Sequence, residues 1–268
     1  CGTMGGGIAM NFANIGIPVV VVENSQESLD KGIKLIEKNY YNTVSKGRMS
    51  EDDLKKRMSL IKGATSLESI SNADIVIEAV FEEMNLKKDM FQRIDKIAKK
   101  DCILATNTST LDIDQIANVT SRPGDVIGTH FFSPANVMRL LEVVRGTNTN
   151  KAVIATTMKL AKSIKKVPVL AGNCDGFIGN RMLYGYTYQA NMLLLEGALP
   201  NQIDSALESF GMSMGPFRMM DLVGLDLGWR ARKLGGIETP LTNKISDALC
   251  EQDRFGQKNS KGFYNYSE

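Results

Sequence analysis

Apolar, β-branched runs alternate with helical patterns through the first part of the sequence, and this alternation restricts the fold more than any other feature. The predicted strands occupy residues 18–23, 73–80, 102–107, 125–132 and 140–144, with a further apolar run at 167–170. The predicted helices occupy residues 5–15, 26–46, 84–99 and 150–166, and another begins after Ser50. Strands that alternate with helices form mostly parallel sheets, and the run VVVV at 19–22 is typical of a strand buried on both faces. The first part is therefore predicted to be an α/β domain.

The second part of the sequence has a different character. From Gly176 onward it shows only helical patterns, separated by Gly, Pro and Asn, over residues 176–197, 201–210, 216–228 and 242–251. We predict two domains: an α/β domain over residues 1–171 and an all-α domain over residues 172–268. The all-α domain carries nine apolar residues that we expect to lie mostly in its core: Met182, Leu183, Met192, Leu193, Leu194, Leu195, Met219, Met220 and Leu222.

Charge and cysteine usage exclude several classes of function. The chain has 32 basic and 30 acidic residues, a net charge of +2. That balance provides no field strong enough for nucleic acid or an anionic membrane, and no apolar run is long enough to span a bilayer. The cysteines are scattered, at Cys1, Cys102, Cys174 and Cys250. Neither a metal site nor a disulfide framework is predicted, and a reducing compartment fits.

The opening residues Gly2, Thr3, Met4 and Gly5 match the second half of a G-x-G-x-x-G turn, which binds the pyrophosphate of a dinucleotide. Gly2 would let the backbone approach the pyrophosphate, and Gly5 would let the following helix pack on the sheet. The first glycine and the first strand would lie upstream of Cys1, so we expect the first strand of the domain to be truncated. A flexible, glycine-rich terminus is the alternative interpretation.

Glu23 strengthens the dinucleotide interpretation. It ends the second strand of the pattern, 21 residues after Gly2, where an acid hydrogen-bonds the adenosine ribose hydroxyls. A carboxylate at this point repels a 2′-phosphate, which favours NAD over NADP. The first domain is therefore predicted to be a Rossmann-type NAD-binding domain.

His130 is the only histidine of the chain, and it lies at the end of an apolar strand, where α/β folds bind ligands. Glu142 follows 12 residues later, inside the apolar run LLEVV. A strand–loop–strand return would bring its carboxylate to one imidazole nitrogen, fix the tautomer and raise the basicity of the other nitrogen. A histidine that simply satisfies its own hydrogen bonds in the core is the alternative.

Further polar side chains follow other elements of the predicted sheet. Asn107 and Ser109 lie in ATNTST, at the end of the strand 102–107, and Asn180 lies in the first helix of the second domain. An amide such as that of Asn180 would suit a developing oxyanion. Turn formation and helix capping are the alternative roles for these residues.

Five motifs carry a family resemblance across essentially the whole chain: GTMGGGIA, NTST, THFFSPANVMRLLEVV, CDGFIGNRM and MGPFRMMDLVGLD. In this order they resemble the NAD-dependent L-3-hydroxyacyl-CoA dehydrogenases of fatty-acid β-oxidation. The segments HFFSPA and CEQDRFGQKNSKGFYNY are most similar to the dehydrogenase part of multifunctional β-oxidation enzymes. Those enzymes carry an enoyl-CoA hydratase/isomerase domain upstream, so the chain is interpreted as a module of something longer.

The resemblance implies a role for each candidate residue. His130 would be the base that takes the 3-hydroxyl proton, Glu142 would orient it, Ser109 would hydrogen-bond the substrate oxygen at C3, and Asn180 would position and polarise the acyl group. The implied cofactor contacts are Gly2, Thr3, Met4, Gly5, Glu23, Glu82, Lys87 and Asn107. Ser133 departs from the Asn that monofunctional relatives usually carry there, which leaves one polar contact near His130 open.

The implied partner is an acyl-CoA thioester. The helical domain would pack on a second copy or on a missing downstream domain, so exposed apolar surface is expected on it. The expected compartment is the bacterial cytoplasm, or the peroxisome for a eukaryotic chain. The alternatives are a hydroxyacid dehydrogenase that uses a lysine, a non-catalytic NAD-binding or crystallin-like relative, an inactive truncated module, and a helical interaction module.

Overall fold

A computed structural model describes residues 2–266, apart from the side chain of Ala231. The chain divides into two compact units between Asn180 and Arg181. Cys1, and the strand predicted to precede it, lie outside the described residues.

The first unit contains the predicted alternation of strands and helices. Its strands are β1 (Val19–Val22), β2 (Ile61–Ala64), β3 (Ile75–Glu78), β4 (Ile103–Thr106), β5 (Val126–Phe131), β6 (Leu140–Arg145) and β7 (Val167–Gly172). Its helices are α1 (Thr3–Ala13), α2 (Gln26–Ser45), α3 (Glu51–Ser59), α4 (Met84–Ile97), α5 (Ile113–Ala117) and α6 (Lys151–Ser163). Ser25 and Ser50 begin α2 and α3 as predicted, since each hydroxyl accepts a hydrogen bond from the third following backbone N–H.

The strands form two sheets. Five of them lie in the order β3-β4-β5-β6-β7, and β1 pairs with β2 in a separate parallel pair. All neighbours in the larger sheet are parallel except β5 and β6, which are antiparallel with His130 directly opposite Glu142. The prediction of a Rossmann-type α/β domain is confirmed, and its one antiparallel pair is the strand–loop–strand return expected between these two residues.

Apolar side chains fill both faces of the larger sheet. One cluster includes Phe91, Ile113 and Val126, and another includes Ile127 and Val143, all of them fully buried. Because Val126 and Ile127 are consecutive residues of a strand, their side chains point to opposite faces. The helices thus cover both sides of the strand that carries His130.

Two details of the first unit differ from the prediction. The strand β2 was not predicted, because its sequence IKGA lacks the β-branched run that marks the other strands. The strand β1 was predicted to be buried on both faces, but Val20 is 44% exposed and only Val21 is buried. Among residues 2–266, β2 is the one strand hydrogen-bonded to β1, and a two-stranded pair leaves much of its surface open.

The second unit is helical. Its helices are α7 (Gly179–Leu195), which begins at the end of the first unit, α8 (Pro200–Phe210), α9 (Pro216–Val223), α10 (Asp226–Gly235) and α11 (Lys244–Glu251). The predicted helix 216–228 is broken at Gly224, whose φ of +103° lies in the region that favours glycine. The all-α prediction is confirmed, with α10 as an additional helix.

The core of the helical unit is small, and most of the residues expected in it lie outside it. Its core cluster contains the buried residues Ala190, Ile203 and Phe217, and Leu194 and Met220 are partly buried against them. None of the nine apolar residues expected in the core is fully buried, and Met182, Leu193 and Leu222 are exposed. The expected exposed apolar surface is therefore present, because short helices around so small a core leave much of their apolar surface open. Among the helices of the described part of the chain, none has the length and apolar character required to cross a membrane.

Candidate active site

His130 and Glu142 form the centre of the candidate site. They face each other across β5 and β6, so their side chains lie on the same face of the sheet. The Nδ1 atom of His130 lies 2.6 Å from the Oε2 atom of Glu142. Both residues are buried, with 5% of His130 and 1% of Glu142 exposed. A buried carboxylate at Nδ1 favours the tautomer that carries its proton there, which leaves Nε2 as the basic nitrogen.

The second oxygen of Glu142 holds the start of α7. Its Oε1 atom accepts hydrogen bonds from the backbone N–H groups of Ile178, at 3.0 Å, and Gly179, at 2.7 Å. These groups have no partner within the helix, and the helix dipole favours a negative charge beside them. Burial raises the pKa of Glu142, but the hydrogen bonds from His130, Gly179 and Ile178 outweigh it and hold the pKa below its ordinary value. Glu142 is therefore ionised at neutral pH.

Aromatic rings surround the imidazole. The ring centroid of Phe132 lies 4.3 Å from that of His130, and the ring of Phe177 lies 5.9 Å away. A Cβ atom at Gly179 would lie 2.9 Å from the Cζ atom of Phe132. Glycine at this position therefore allows the start of α7 to approach both Phe132 and Glu142.

Asn180 and Ser109 meet at a second polar position. The Nδ2 atom of Asn180 donates to the backbone carbonyl of Ser109 across 3.4 Å. Asn180 follows Gly179, which contacts Glu142. The four residues predicted as catalytic are thus joined by one series of contacts, from His130 through Glu142 and the start of α7 to Ser109.

Asn107 has a structural partner beside the imidazole. Its side-chain Oδ1 atom accepts a hydrogen bond from the backbone N–H of Phe131 at 2.9 Å. This bond ties the end of β4 to the end of β5, one residue after His130. The contact between Asn107 and a cofactor stays a prediction.

The predicted cofactor residues Glu82 and Lys87 bind each other. The Nζ atom of Lys87 lies 3.4 Å from the Oε2 atom of Glu82 and 2.8 Å from the Oε1 atom of Glu78. The Lys87 side chain is fully buried, while that of Glu82 is partly exposed. Glu78 was missed by the sequence analysis. The signal was present, because an acid inside the apolar run ADIVIEAV needs a buried partner, as Glu142 does in LLEVV.

Helix α1 begins without a side-chain cap. Gly2 precedes the helix, so the first backbone N–H groups, from Thr3 and Met4 onward, receive no side-chain hydrogen bond from it. A Cβ atom at Gly2 or Gly5 would meet no atom of the described residues within 4 Å. The N–H groups at the start of an 11-residue helix without such a cap fit a pyrophosphate.

Close packing in α1 occurs at Gly7. A Cβ atom at Gly7 would lie 3.1 Å from that of Ala135 and 3.2 Å from the backbone nitrogen of Asn136. These atoms belong to the loop after β5, whereas the contact expected of Gly5 was with the sheet. Glu23 directly follows β1, and its backbone N–H donates to the carbonyl of Ala64, the last residue of β2.

Two buried side chains that the sequence analysis did not single out hold the loop after His130. Lys166 donates from Nζ to the carbonyl oxygens of Ala135, at 2.6 Å, and Met138, at 2.7 Å. Asn11 donates to the same Ala135 oxygen at 2.9 Å. Burial lowers the pKa of Lys166. These bonds fix the loop that contains Ser133, the position that departs from the family pattern. Ser133 itself is exposed.

No cluster of histidine, cysteine, aspartate or glutamate among the described residues is arranged to hold a metal ion. The site is thus composed of one histidine, its carboxylate partner, and polar side chains at the ends of strands.

Comparison with known proteins gives two family matches. Residues 1–174 match the family described as 3-hydroxyacyl-CoA dehydrogenase, NAD binding domain, and residues 176–266 match its C-terminal domain. The chain is 47% identical to the peroxisomal bifunctional enzyme of Cavia porcellus, with 100% of this chain and 39% of that protein covered. The chain thus spans about two fifths of the length of this relative.

Solved structures support the same assignment. FadB2 of M. tuberculosis superposes with a TM-score of 0.90 at 32% identity, covering 99% of this chain and 96% of that one. The (S)-3-hydroxybutyryl-CoA dehydrogenase PaaH1 of Ralstonia eutropha superposes with a TM-score of 0.88 at 33% identity, covering 100% of this chain and 96% of that one.

Proposed function

The chain belongs to the 3-hydroxyacyl-CoA dehydrogenase family, and from this premise we propose that it is an oxidoreductase of fatty-acid β-oxidation that converts (S)-3-hydroxyacyl-CoA and NAD+ to 3-oxoacyl-CoA and NADH. One observation carries the proposal. His130 and Glu142 form a buried pair at 2.6 Å, with the remaining imidazole nitrogen available as a base. Oxidation of a secondary alcohol requires such a base, since the hydroxyl proton must leave with the hydride.

The protein's part in the reaction follows from this geometry. The Nε2 atom of His130 accepts the 3-hydroxyl proton while Nδ1 donates to Glu142. The carboxylate stabilises the imidazolium that forms and prevents the ring from turning. Ser109 hydrogen-bonds the oxygen at C3, and Asn180 positions and polarises the acyl group, as the family resemblance implies. An oriented imidazole contributes about 10²–10⁴-fold to such a step.

The uncapped start of α1 fits NAD. Gly2, Thr3, Met4 and Gly5 would hold the pyrophosphate, and Glu23 the adenosine ribose, while Glu82, Lys87 and Asn107 are the further candidate contacts. The uncapped N–H groups of α1 support this assignment. When bound, the cofactor supplies the hydride acceptor.

We propose that the chain consists of an NAD-binding domain over residues 1–171 and a helical domain over residues 172–268. The two family matches meet between residues 174 and 176, and the two compact units meet between Asn180 and Arg181. These positions lie a few residues beyond the proposed boundary and support its general location.

Assembly and compartment are also proposals. The helical unit would pack on a second copy or on a further domain of a multifunctional enzyme, and its exposed Met182, Leu222 and Leu234 support this. The Cavia porcellus relative is named as a peroxisomal enzyme. A peroxisomal location is accordingly proposed for a eukaryotic chain.

The test is the decay of NADH absorbance after addition of acetoacetyl-CoA, with His130→Ala as the comparison and circular dichroism as the check of folding. Decay that this substitution abolishes would support the reaction and its base. Equal decay in both proteins would reject His130 as the base and favour a lysine-dependent hydroxyacid dehydrogenase. Binding of NADH without any decay would favour a non-catalytic relative or an inactive truncated module.

A further inference from the structure

Glu78, Glu82 and Lys87 form a charged cluster beside the turn that carries Ser109. The Nζ atom of Lys87 bridges the two carboxylates, at 2.8 Å from Glu78 and 3.4 Å from Glu82. The side chains of Glu78 and Lys87 are 1% and 0% exposed.

The sheet holds Glu78 rigidly. It is the last residue of β3, directly opposite Thr106 of β4. Its Oε2 atom accepts from the Thr106 hydroxyl at 2.7 Å, and its Oε1 atom accepts from the backbone N–H of Val80 at 2.6 Å as well as from Lys87. Because both carboxylate oxygens accept hydrogen bonds, the Glu78 side chain is held in one rotamer.

Glu82 connects this cluster to Ser109. Its Oε2 atom contacts Lys87, while its Oε1 atom accepts from the Thr108 hydroxyl at 2.7 Å, the Ser109 N–H at 2.7 Å and the Thr110 N–H at 3.1 Å. The Thr110 hydroxyl also donates to this oxygen, at 3.5 Å, so one carboxylate oxygen accepts hydrogen bonds from three consecutive residues. The orientation of Glu82 therefore determines the backbone conformation of residues 108–110.

A buried ion pair is a weak source of stability, because the desolvation of two charges offsets their attraction. Apolar side chains of similar volume would serve stability as well. Apolar side chains would not fix the position of the Glu82 carboxylate, because a cation must lie beside it to do so. The cation in turn needs a fixed anion to define its own position, and Glu78 provides it.

We propose that Glu78 is a positioning residue for Ser109, acting through Lys87 and Glu82 on the backbone of the 108–110 turn. The proposal rests on the proposed function, in which Ser109 hydrogen-bonds the substrate oxygen. Its structural part, the ordering of the turn, is measurable without any turnover.

The experiment compares the full chain with Glu78→Gln and with the double variant Glu78→Gln/Lys87→Met. The single variant leaves the Lys87 ammonium buried without Glu78, and this can prevent folding. The double variant removes that uncompensated charge. Amide hydrogen exchange of Ser109 and Thr110 is measured first, and then kcat and the KM values for NAD+ and for a 3-hydroxyacyl-CoA.

In the folded double variant, exchange of the Ser109 and Thr110 amides is expected to rise by about tenfold or more, since the turn opens locally. We expect kcat to fall about 10–100-fold, because a displaced contact group loses its alignment, while the KM for the 3-hydroxyacyl-CoA changes less. Glu83→Gln is the matched control. Glu83 lies in the same segment and caps α4 through the N–H groups of Asn85 and Leu86, so this variant should keep the exchange rates of the turn.

If the Ser109 and Thr110 amides of the folded double variant exchange at the wild-type rate, the proposal is overturned. A lowered kcat with unchanged exchange would also overturn it, because the effect would then bypass the turn. An inactive wild-type chain would reject the proposed function, and the exchange rates would still decide whether Glu78 orders the turn.

Discussion

The Nδ1 atom of His130 lies 2.6 Å from the Oε2 atom of Glu142, and the two residues are direct neighbours across the antiparallel strands β5 and β6. The same carboxylate accepts hydrogen bonds from the N–H groups of Ile178 and Gly179. Glu142 therefore has two effects that can be separated by experiment, one on the base and one on the start of α7.

Glu142→Gln tests the effect on the base. In this variant the amide oxygen of the new side chain replaces Oε1 as the acceptor for the N–H groups of Ile178 and Gly179. The amide NH₂ group then faces Nδ1 of His130, so Nδ1 must accept a hydrogen bond. The imidazole proton moves to Nε2, and the base is lost. We expect kcat to fall by about 10²–10⁴-fold, measured by NADH absorbance. Glu37→Gln, an exposed position of α2, is the control and should keep wild-type kcat. Equal kcat in both variants would reject the orienting role of Glu142.

The pH dependence of stability tests the effect on the fold. The pKa of Glu142 is held below its ordinary value of 4.5, so the stability that its ionised form contributes is complete above that value. It is lost as the pH falls through the lower pKa of the folded state. Wild type should exceed Glu142→Gln by about 2 kcal/mol in free energy of unfolding near neutral pH, since the hydrogen bonds at this position no longer have a charged acceptor.

Urea unfolding of the two proteins at several pH values measures this difference. It should shrink as the pH falls below about 5. Carboxylates with lowered pKa that lie away from Glu142, such as Asp95, act equally in both proteins and cancel. A difference that grows below about pH 5 would contradict the assigned direction of the pKa shift.

Gly179→Ala tests the close approach of α7 to the aromatic rings. Its Cβ atom would lie 2.9 Å from Phe132, whose ring contacts His130. The ring must shift, and we expect kcat to fall about tenfold without loss of folding. Gly185→Ala is the matched control in the same helix, because its Cβ atom would meet no atom within 4 Å. The control should gain about 0.5–1 kcal/mol of stability. If both variants keep kcat, the position of Phe132 is not important for the reaction.

Lys166→Met tests the loop after His130. Loss of the ammonium removes two hydrogen bonds from the loop, those to the carbonyls of Ala135 and Met138. Tryptic cleavage after the exposed Arg139 should accelerate by about tenfold, because the loop opens more often. Lys162→Met, at an exposed position of α6, should cleave at the wild-type rate. An unchanged rate in Lys166→Met would show that Asn11 alone is sufficient to hold the loop.

Local sequence patterns determined much of this protein. The order of strands and helices in the first unit, apart from β2, follows from periodicity and from residues adjacent in the chain. So do the caps at Ser25 and Ser50 and the helical second part. Even the long-range pair of His130 and Glu142 could be predicted. A buried acid needs a partner, and a short return between two strands brings the acid to the histidine.

The tertiary structure alone decided the rest. It placed the ammonium of Lys87 between Glu78 and Glu82, packed Gly7 against the loop after β5, and left apolar residues such as Met182 exposed. Helical and strand periodicity reports which face of an element is apolar. It does not report which element covers that face, or at what register, because those depend on the contacts between segments that are distant in the chain.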